Sequence, residues 1–227
     1  MSLRTRLFAL TYDRQLARAE DAGLRALRLR LLAGAGGDVL EIGGGTGANV
    51  ACYGPAVGSL TITEPDPSML RRLERRVREH SVLEHGVLEH GVPEHGVPEH
   101  GPAARVLRAP AEDLPFADHS FDVAVSTLVL CGVGDQPRVL RELRRVLRPG
   151  GRLLFLEHVR SADPGTARLQ DRVNWLNRLM VCCDCNRPTL DTIRRSGFTV
   201  TELEHTALPM APVYVRPTIL GSAARSA

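Results

Sequence analysis

The residues best placed to do chemistry begin at Glu41. The run Glu41-x-Gly43-x-Gly45-x-Gly47 follows the short apolar segment Val39-Leu40-Glu41-Ile42. Glycines at a strand end let a ligand approach the backbone, and free N–H groups beyond them bind polar atoms. A second acid, Glu64, stands 21 residues after Gly43, at the end of the next apolar run, Ser59-Leu60-Thr61-Ile62-Thr63. A carboxylate there accepts both hydroxyls of a ribose. Together these residues predict a site for an adenosine-like group. Gly43, Gly45 and Ala48 also fit the dinucleotide spacing G-x-G-x-x-A, so a nicotinamide cofactor stays open on this loop alone.

Other candidates lie further along the chain. His158 follows an apolar run and is either a base or substrate contact at the pocket, or a structural histidine. Tyr12-Asp13 is a candidate lid pair. Cys183 and Cys185 line the acceptor pocket in one reading; in the others they are small packing residues, or bind a metal with a distant histidine. The five cysteines are odd in number and unevenly spaced, so neither a disulfide framework nor a four-cysteine zinc site is expected, and no metal is assigned. Trp175 reads as a core residue.

Strand and helix signals alternate. Strands are expected near residues 39–42, 59–63, 105–108, 121–126, 151–157, 198–204 and 213–220. Helices are expected over much of residues 1–37, from near Ala48, after Asp66-Pro67, and over 136–147, 166–180 and 189–196. The alternation predicts an α/β fold: a Rossmann-like, seven-stranded, mostly parallel sheet with helices on both faces. Residues 1–37 form an N-terminal helical lid, 38–220 the single core domain and 221–227 a tail. Four pentads, from Val82-Leu83-Glu84-His85-Gly86 to Val97–Gly101, carry glycine every fifth residue and Pro93 and Pro98. They predict a surface loop over 82–101.

Composition narrows the functions. All 29 basic residues counted as Lys or Arg are arginines, which excludes a Schiff-base lysine and a Walker-loop lysine. The net charge is only +3 and aromatics make up 4%, so no nucleic-acid partner is expected. No apolar run reaches the roughly 18 residues of a membrane span, and no signal peptide is read at the N-terminus. A cytoplasmic location is expected.

Two features favour S-adenosylmethionine over a dinucleotide. Glu41, two residues before Gly43, suits a cationic amino acid tail and would repel a pyrophosphate. Only one strand–helix–strand half carries a glycine loop, whereas dinucleotide folds have two such halves. Residues 39–158 resemble the class I S-adenosylmethionine-dependent methyltransferases. The resemblance rests on Val39–Gly47, Thr63-Glu64-Pro65-Asp66-Pro67-Ser68-Met69-Leu70, Ala111-Glu112-Asp113-Leu114-Pro115-Phe116 with Ser120-Phe121-Asp122, and Leu147-Arg148-Pro149-Gly150-Gly151. More narrowly the chain resembles the methyltransferase-like thiol methyltransferases and the quinone-biosynthesis C-methyltransferases. Thr127–Cys131, Leu156-Glu157-His158-Val159, Cys183-x-Cys185-Asn186-Arg187 and Val215-Arg216-Pro217 are closest to the thiol group.

That resemblance implies roles. Gly43, Gly45 and Gly47 would line the methionine moiety of S-adenosylmethionine, with Glu41 near its amino group. Glu64 would hold the ribose, and Met69 would pack near the adenine. Ala111 and Glu112 would flank the adenine edge, and Thr127 and Leu128 would sit beside the sulfonium. Where many relatives have an Asp before the Ala-Glu pair, this chain has Pro110, which offers no side-chain acceptor. The implied reaction is methyl transfer to a small-molecule acceptor, a thiol first and a quinone or phenol carbon or oxygen as the alternative. An NAD-dependent oxidoreductase and a non-catalytic cofactor-binding protein are the readings from other classes.

Overall fold

A computed structural model describes residues 17–85, 104–181 and 183–226. A single π-helical turn, Glu20–Leu24, leads into α1 (Arg25–Leu32), and β1 (Gly37–Ile42) follows. Next come β2 (Val57–Thr63), α2 (Pro67–His85), β3 (Ala104–Leu107), β4 (Phe121–Thr127), α3 (Gln136–Val146) and β5 (Leu147–His158). The chain ends in α4 (Pro164–Val181), α5 (Thr189–Arg195), β6 (Phe198–Ala207) and β7 (Pro217–Arg225). The seven strands form one sheet in the order β3-β2-β1-β4-β5-β7-β6. The first five are parallel, and β7 runs antiparallel between β5 and β6. This is the expected α/β architecture.

Both faces of the central strands are covered, which is why these strands read as near-continuous apolar runs. Successive residues serve opposite faces. On β5, Leu153 and Phe155 join Leu40, Leu140, Leu143 and Phe198 in one core, while Leu154 and Leu156 join Leu24, Leu32, Val39 and Leu73 in the other. Helix α3 shows how the sequence builds a covering helix. Asp135 caps it by accepting from the Arg138 N–H at 3.0 Å. Val139, Leu140, Leu143 and Val146 recur at helical spacing and are all fully buried.

Four local expectations are corrected. No regular helix starts at Ala48. The glycine turn passes instead into a three-residue 3-10 turn, Val50–Cys52, because Gly54 and Pro55 stop it at once. Helix α2 runs through the first pentad to His85, so the repeat is not wholly a loop. The last strand is Pro217–Arg225, where a strand over 213–220 and a tail from 221 were expected; hydrogen-bonded pairing with β5 and β6 carries the sheet through Ala224. Trp175, expected in the core, is 68% exposed on α4.

The order reverses at β1, whose neighbours β2 and β4 are reached by connections leaving in opposite directions. The crevice beyond these strand ends is where open α/β sheets bind ligands. Register fixes what meets there. Glu41 lies level with Ile62 of β2 and Val125 of β4, so Gly43, Glu64 and Thr127 emerge side by side.

Because Leu143 is fully buried, Leu143→Ala should cost about 2–5 kcal/mol of stability. Urea unfolding at constant slope checks this; a loss under about 1 kcal/mol would show that the site collapses around the smaller side chain.

Candidate active site

The glycine turn is held by its own backbone and by Glu64. Gly44 N–H donates to Thr63 O at 3.0 Å, and Gly47 N–H closes the turn on Gly44 O at 2.8 Å. Gly43 (φ +58°) and Gly45 (φ +57°) sit in the left-handed region. A Cβ on Gly43 would meet Val129 at 2.7 Å, so that glycine is demanded by packing. A Cβ on Gly45 would meet nothing nearer than Gly43 O at 3.9 Å, so the space above it is open to a ligand. The pocket there is lined by Gly43, Gly44, Gly45, Thr46, Ala48, Arg28, Glu41, Asn49, Thr127 and Leu128.

A buried polar network forms the floor. Glu41, 2% exposed, accepts from Asn49 Nδ2 at 3.0 Å and from the Tyr53 hydroxyl at 2.6 Å. Asn49 Nδ2 also donates to Thr127 Oγ1 at 2.9 Å, while its Oδ1 accepts from Arg28 Nη1 at 2.8 Å. Arg28, 3% exposed, donates to Thr127 Oγ1 at 3.2 Å and pairs with Glu20 at 3.0 Å. Burial pushes the Glu41 carboxyl up, while the Tyr53 and Asn49 hydrogen bonds and the Arg28 charge pull it down. The same burial, with Glu41 beside it, raises the Tyr53 phenol well above its ordinary value.

Glu64 accepts from Gly45 N–H at 2.9 Å through Oε2 and from Asp66 N–H at 2.8 Å through Oε1. It therefore clamps the glycine turn to the end of β2 and keeps a free lone pair on each oxygen. Burial raises its carboxyl, against these backbone donors. Asp66 caps α2 by accepting from Ser68 N–H at 2.7 Å and Met69 N–H at 3.0 Å, which sets the buried Met69 in the first turn. Ala111 is buried in the core. Glu112 holds the α3 approach: its carboxylate accepts from Gly134 N–H at 2.9 Å and its carbonyl from Arg138 Nε at 2.8 Å. Leu128 takes a positive φ of 58°, uncommon for a branched side chain, and donates its N–H to Leu156 O at 2.8 Å.

Next to Leu128 stands a second group of polar residues. His158, 4% exposed at the end of β5, places Nε2 at 3.3 Å from Cys183 Sγ. Its Nδ1 is buried without a partner, as is Glu157 Oε2. Cys131 Sγ donates to Leu128 O at 3.5 Å, and Asp184 N–H donates to Cys131 O at 2.9 Å, which locks the Cys183 segment against the end of β4. Asn177 of α4 donates to both the carbonyl and the sulfur of Cys183, at 2.8 and 3.4 Å. Hydrogen bonding from Cys131, with His158 and Asn177 adding to it against burial, pulls the Cys183 thiol down to about 5. The Cys131 thiol moves well upward in turn. Cys185 does not share this site. It is fully buried against α4, with Sγ at 3.5 Å from Asn174 Oδ1, and desolvation pushes its thiol up to about 11.

The structure thus brings Glu41, Gly43, Gly45, Thr127 and Leu128 into one pocket and sets Glu64 behind its glycine turn. Tyr12 lies outside the described residues. Arg28, Asn49, Tyr53 and the Cys131 contact were not singled out for the site from sequence. One signal was available for Arg28: it stands between Leu24 and Leu31 at helical spacing, a charge on an apolar face.

Residues 40–155 match the family model described as a methyltransferase domain. The chain is 33% identical over 226 residues to thiol S-methyltransferase TMT1A of Homo sapiens, covering 96% of this chain and 83% of the relative. It is 35% identical over 140 residues to the ubiquinone/menaquinone biosynthesis C-methyltransferase UbiE of Hahella chejuensis, covering 60% of this chain and 49% of that one. A solved S-adenosylmethionine-dependent methyltransferase from Thermotoga maritima, titled a possible histamine N-methyltransferase, covers all of both chains with a TM-score of 0.68 at 20% identity. The protein belongs to the methyltransferase domain family and is a class I S-adenosylmethionine-dependent methyltransferase. Its cofactor is S-adenosylmethionine. The dinucleotide reading of Gly43, Gly45 and Ala48 gives way to this, in keeping with a turn too short to present a helix dipole to a pyrophosphate. Among the described residues, no helix is long and apolar enough to cross a membrane.

A thiol held near 5 stays ionised at neutral pH, so Cys183 should react with iodoacetamide at an almost constant rate from pH 8 to about pH 6 and lose reactivity as pH falls through about 5. Peptide mapping of protein labelled in EDTA buffer checks this. A rate that falls steadily below about pH 8.5, as for an ordinary thiol, would contradict the depressed value.

Proposed function

We propose that the enzyme methylates a small-molecule thiol. S-adenosylmethionine, when bound, supplies a methyl group made electrophilic by its sulfonium. The residues present fit that cofactor. The open space over Gly45 admits a ligand against the backbone of Gly43 and Gly45, whereas Gly47 packs toward Leu73, Val50 and Arg76. Glu41 offers a negative charge to the amino group, Arg28 a positive charge to the carboxylate, and Thr127 and Leu128 wall the reacting end. Glu64 keeps lone pairs for the ribose hydroxyls, with Met69 near the adenine. With Pro110 lacking an acceptor and the Glu112 carboxylate already bound to Gly134, the adenine edge falls to backbone groups of Ala111 and Glu112.

The observation that carries the thiol reading is the similarity to a human thiol S-methyltransferase, which extends over 96% of this chain. The chemistry of the rim agrees with it. His158 faces Cys183 rather than standing free as a general base. A thiol acceptor, with a pKa of about 8.5, supplies a few per cent thiolate at neutral pH and needs little base, whereas a carbon or phenol acceptor needs more. The chain's part is then to hold the acceptor in line and exclude water. A reducing, cytosolic setting suits the free thiols of Cys52, Cys131, Cys183 and Cys185. The similarity to UbiE favours quinone C-methylation as the second reading.

Incubation with S-adenosylmethionine and a panel of alkyl thiols, quinols and phenols, with S-adenosylhomocysteine as the readout, separates the two. Turnover on thiols is expected; turnover on quinols or phenols alone would overturn the reading. Glu64→Gln weakens charged hydrogen bonds worth about 1.5–3 kcal/mol, so KM for S-adenosylmethionine should rise roughly 10- to 100-fold, while KM for the acceptor changes little. An unchanged cofactor KM would remove Glu64 from the ribose.

A further inference from the structure

Three soft ligands converge beside the cofactor pocket from separate parts of the chain: Cys131 after β4, His158 at the end of β5 and Cys183 after α4. Their ligand atoms all lie within 4.8 Å of one another, with Nε2 of His158 and Sγ of Cys183 at 3.3 Å. Tetrahedral zinc, with Zn–S of about 2.3 Å and Zn–N of about 2.0–2.1 Å, places such atoms on the order of 3.5–3.8 Å apart. The spacing is therefore close to that of a metal site before any adjustment. Two sulfurs and one imidazole, with no carboxylate, select zinc over magnesium or calcium. Hydrogen bonds from Asp184 N–H to Cys131 O and from Asn177 to Cys183 hold the two sulfur-bearing segments in place.

We propose that Cys131, His158 and Cys183 form a zinc site whose open fourth position takes the sulfur of the acceptor thiol. Zinc bound by three protein ligands keeps a fourth position for water or substrate. Cys131 bonds to the carbonyl of Leu128, and Leu128 lines the cofactor pocket, so the site adjoins the end where the methyl group is delivered. Coordination exchanges a bound water for the acceptor sulfur. A Zn–S bond forms, the thiol proton passes to solvent, and no electron is transferred. The acceptor then stays ionised at a pH where a free thiol is mostly protonated. The role assigned to the fourth position rests on the thiol reading above; the metal site does not.

The test uses the full chain, stripped with a chelator and titrated with Co²⁺ in place of zinc. The expected result is one equivalent bound with a thiolate-to-cobalt charge-transfer band. The histidine pentads contain no sulfur, so they cannot produce that band. Cys183→Ser and His158→Gln should each weaken binding by more than about tenfold, while Cys185→Ala, whose sulfur faces α4, should keep the band. Binding of S-adenosylhomocysteine by each variant certifies its fold. Adding methyl thioglycolate should strengthen the band as a third sulfur joins. Absence of the band in folded wild-type protein, or a Cys131–Cys183 disulfide in place of metal binding, would overturn the site. A band indifferent to added thiol would overturn the open position. Full thiol methylation by stripped protein would overturn the metal's part and leave the thiol reading standing, whereas metal binding without methylation of any thiol would do the reverse.

Discussion

The buried carboxylate of Glu41 governs the site. It lies level with Ile62 and Val125, near the carboxyl ends of its neighbouring strands, yet is almost wholly removed from water, a placement that costs several kcal/mol unless the charge is hydrogen-bonded and balanced. Asn49 and Tyr53 bind its two oxygens, and Arg28 balances it from across Asn49. These partners come from two segments: Arg28 from the helix before β1, and Asn49 and Tyr53 from the turn after it. Satisfying one charge therefore fixes the entry to the sheet, the exit from its first strand and, through Thr127, the end of the strand beside it. The glycine turn then has a rigid floor, and Glu64 ties its other side to β2.

The network sets Glu20 and Glu41 against one guanidinium, and Arg28 and Glu41 bring both signs of charge to the lining of the pocket. The positive φ of Leu128 belongs to the same design. It turns the chain at the end of β4 so that one residue lines the cofactor pocket and a neighbour, Cys131, faces the thiol and imidazole of Cys183 and His158. A single turn with a positive φ thus joins the pocket to the cluster of Cys131, His158 and Cys183.

What could be read from the sequence was whatever is local along the chain. Gly43, Gly45 and Glu64 announce themselves by residue type and spacing, and the strands by apolar runs buried on both faces. Local signals mislead where they meet tertiary demands. A helix from Ala48 had glycine-loop precedent, but Gly54 and Pro55 leave no room for it. The first pentad is helical because α2 reaches His85, ahead of the glycine at 86. The tail expected over 221–227 gives way because β7 runs between two partners there, and Gly221 is a site where a Cβ would meet Glu202 O at 2.1 Å. Cys183 and Cys185 looked equivalent two residues apart, and only the fold sends one sulfur toward His158 and the other into α4. Arg28, Asn49 and Cys131 gain their meaning from contacts spanning 21 to 99 residues, or from a turn whose φ no spacing reveals.

The most direct measurement is calorimetric binding of S-adenosylhomocysteine to the wild type and to Asn49→Ala, with circular dichroism confirming that both are folded. Asn49 touches Glu41, Arg28 and Thr127 at once, so its loss leaves both charges poorly matched. Removing one partner of such a network costs upward of about 1.5 kcal/mol, and affinity should fall by roughly tenfold or more. Equal affinity in the two folded proteins would contradict the claim that the buried Glu41 network shapes the cofactor site.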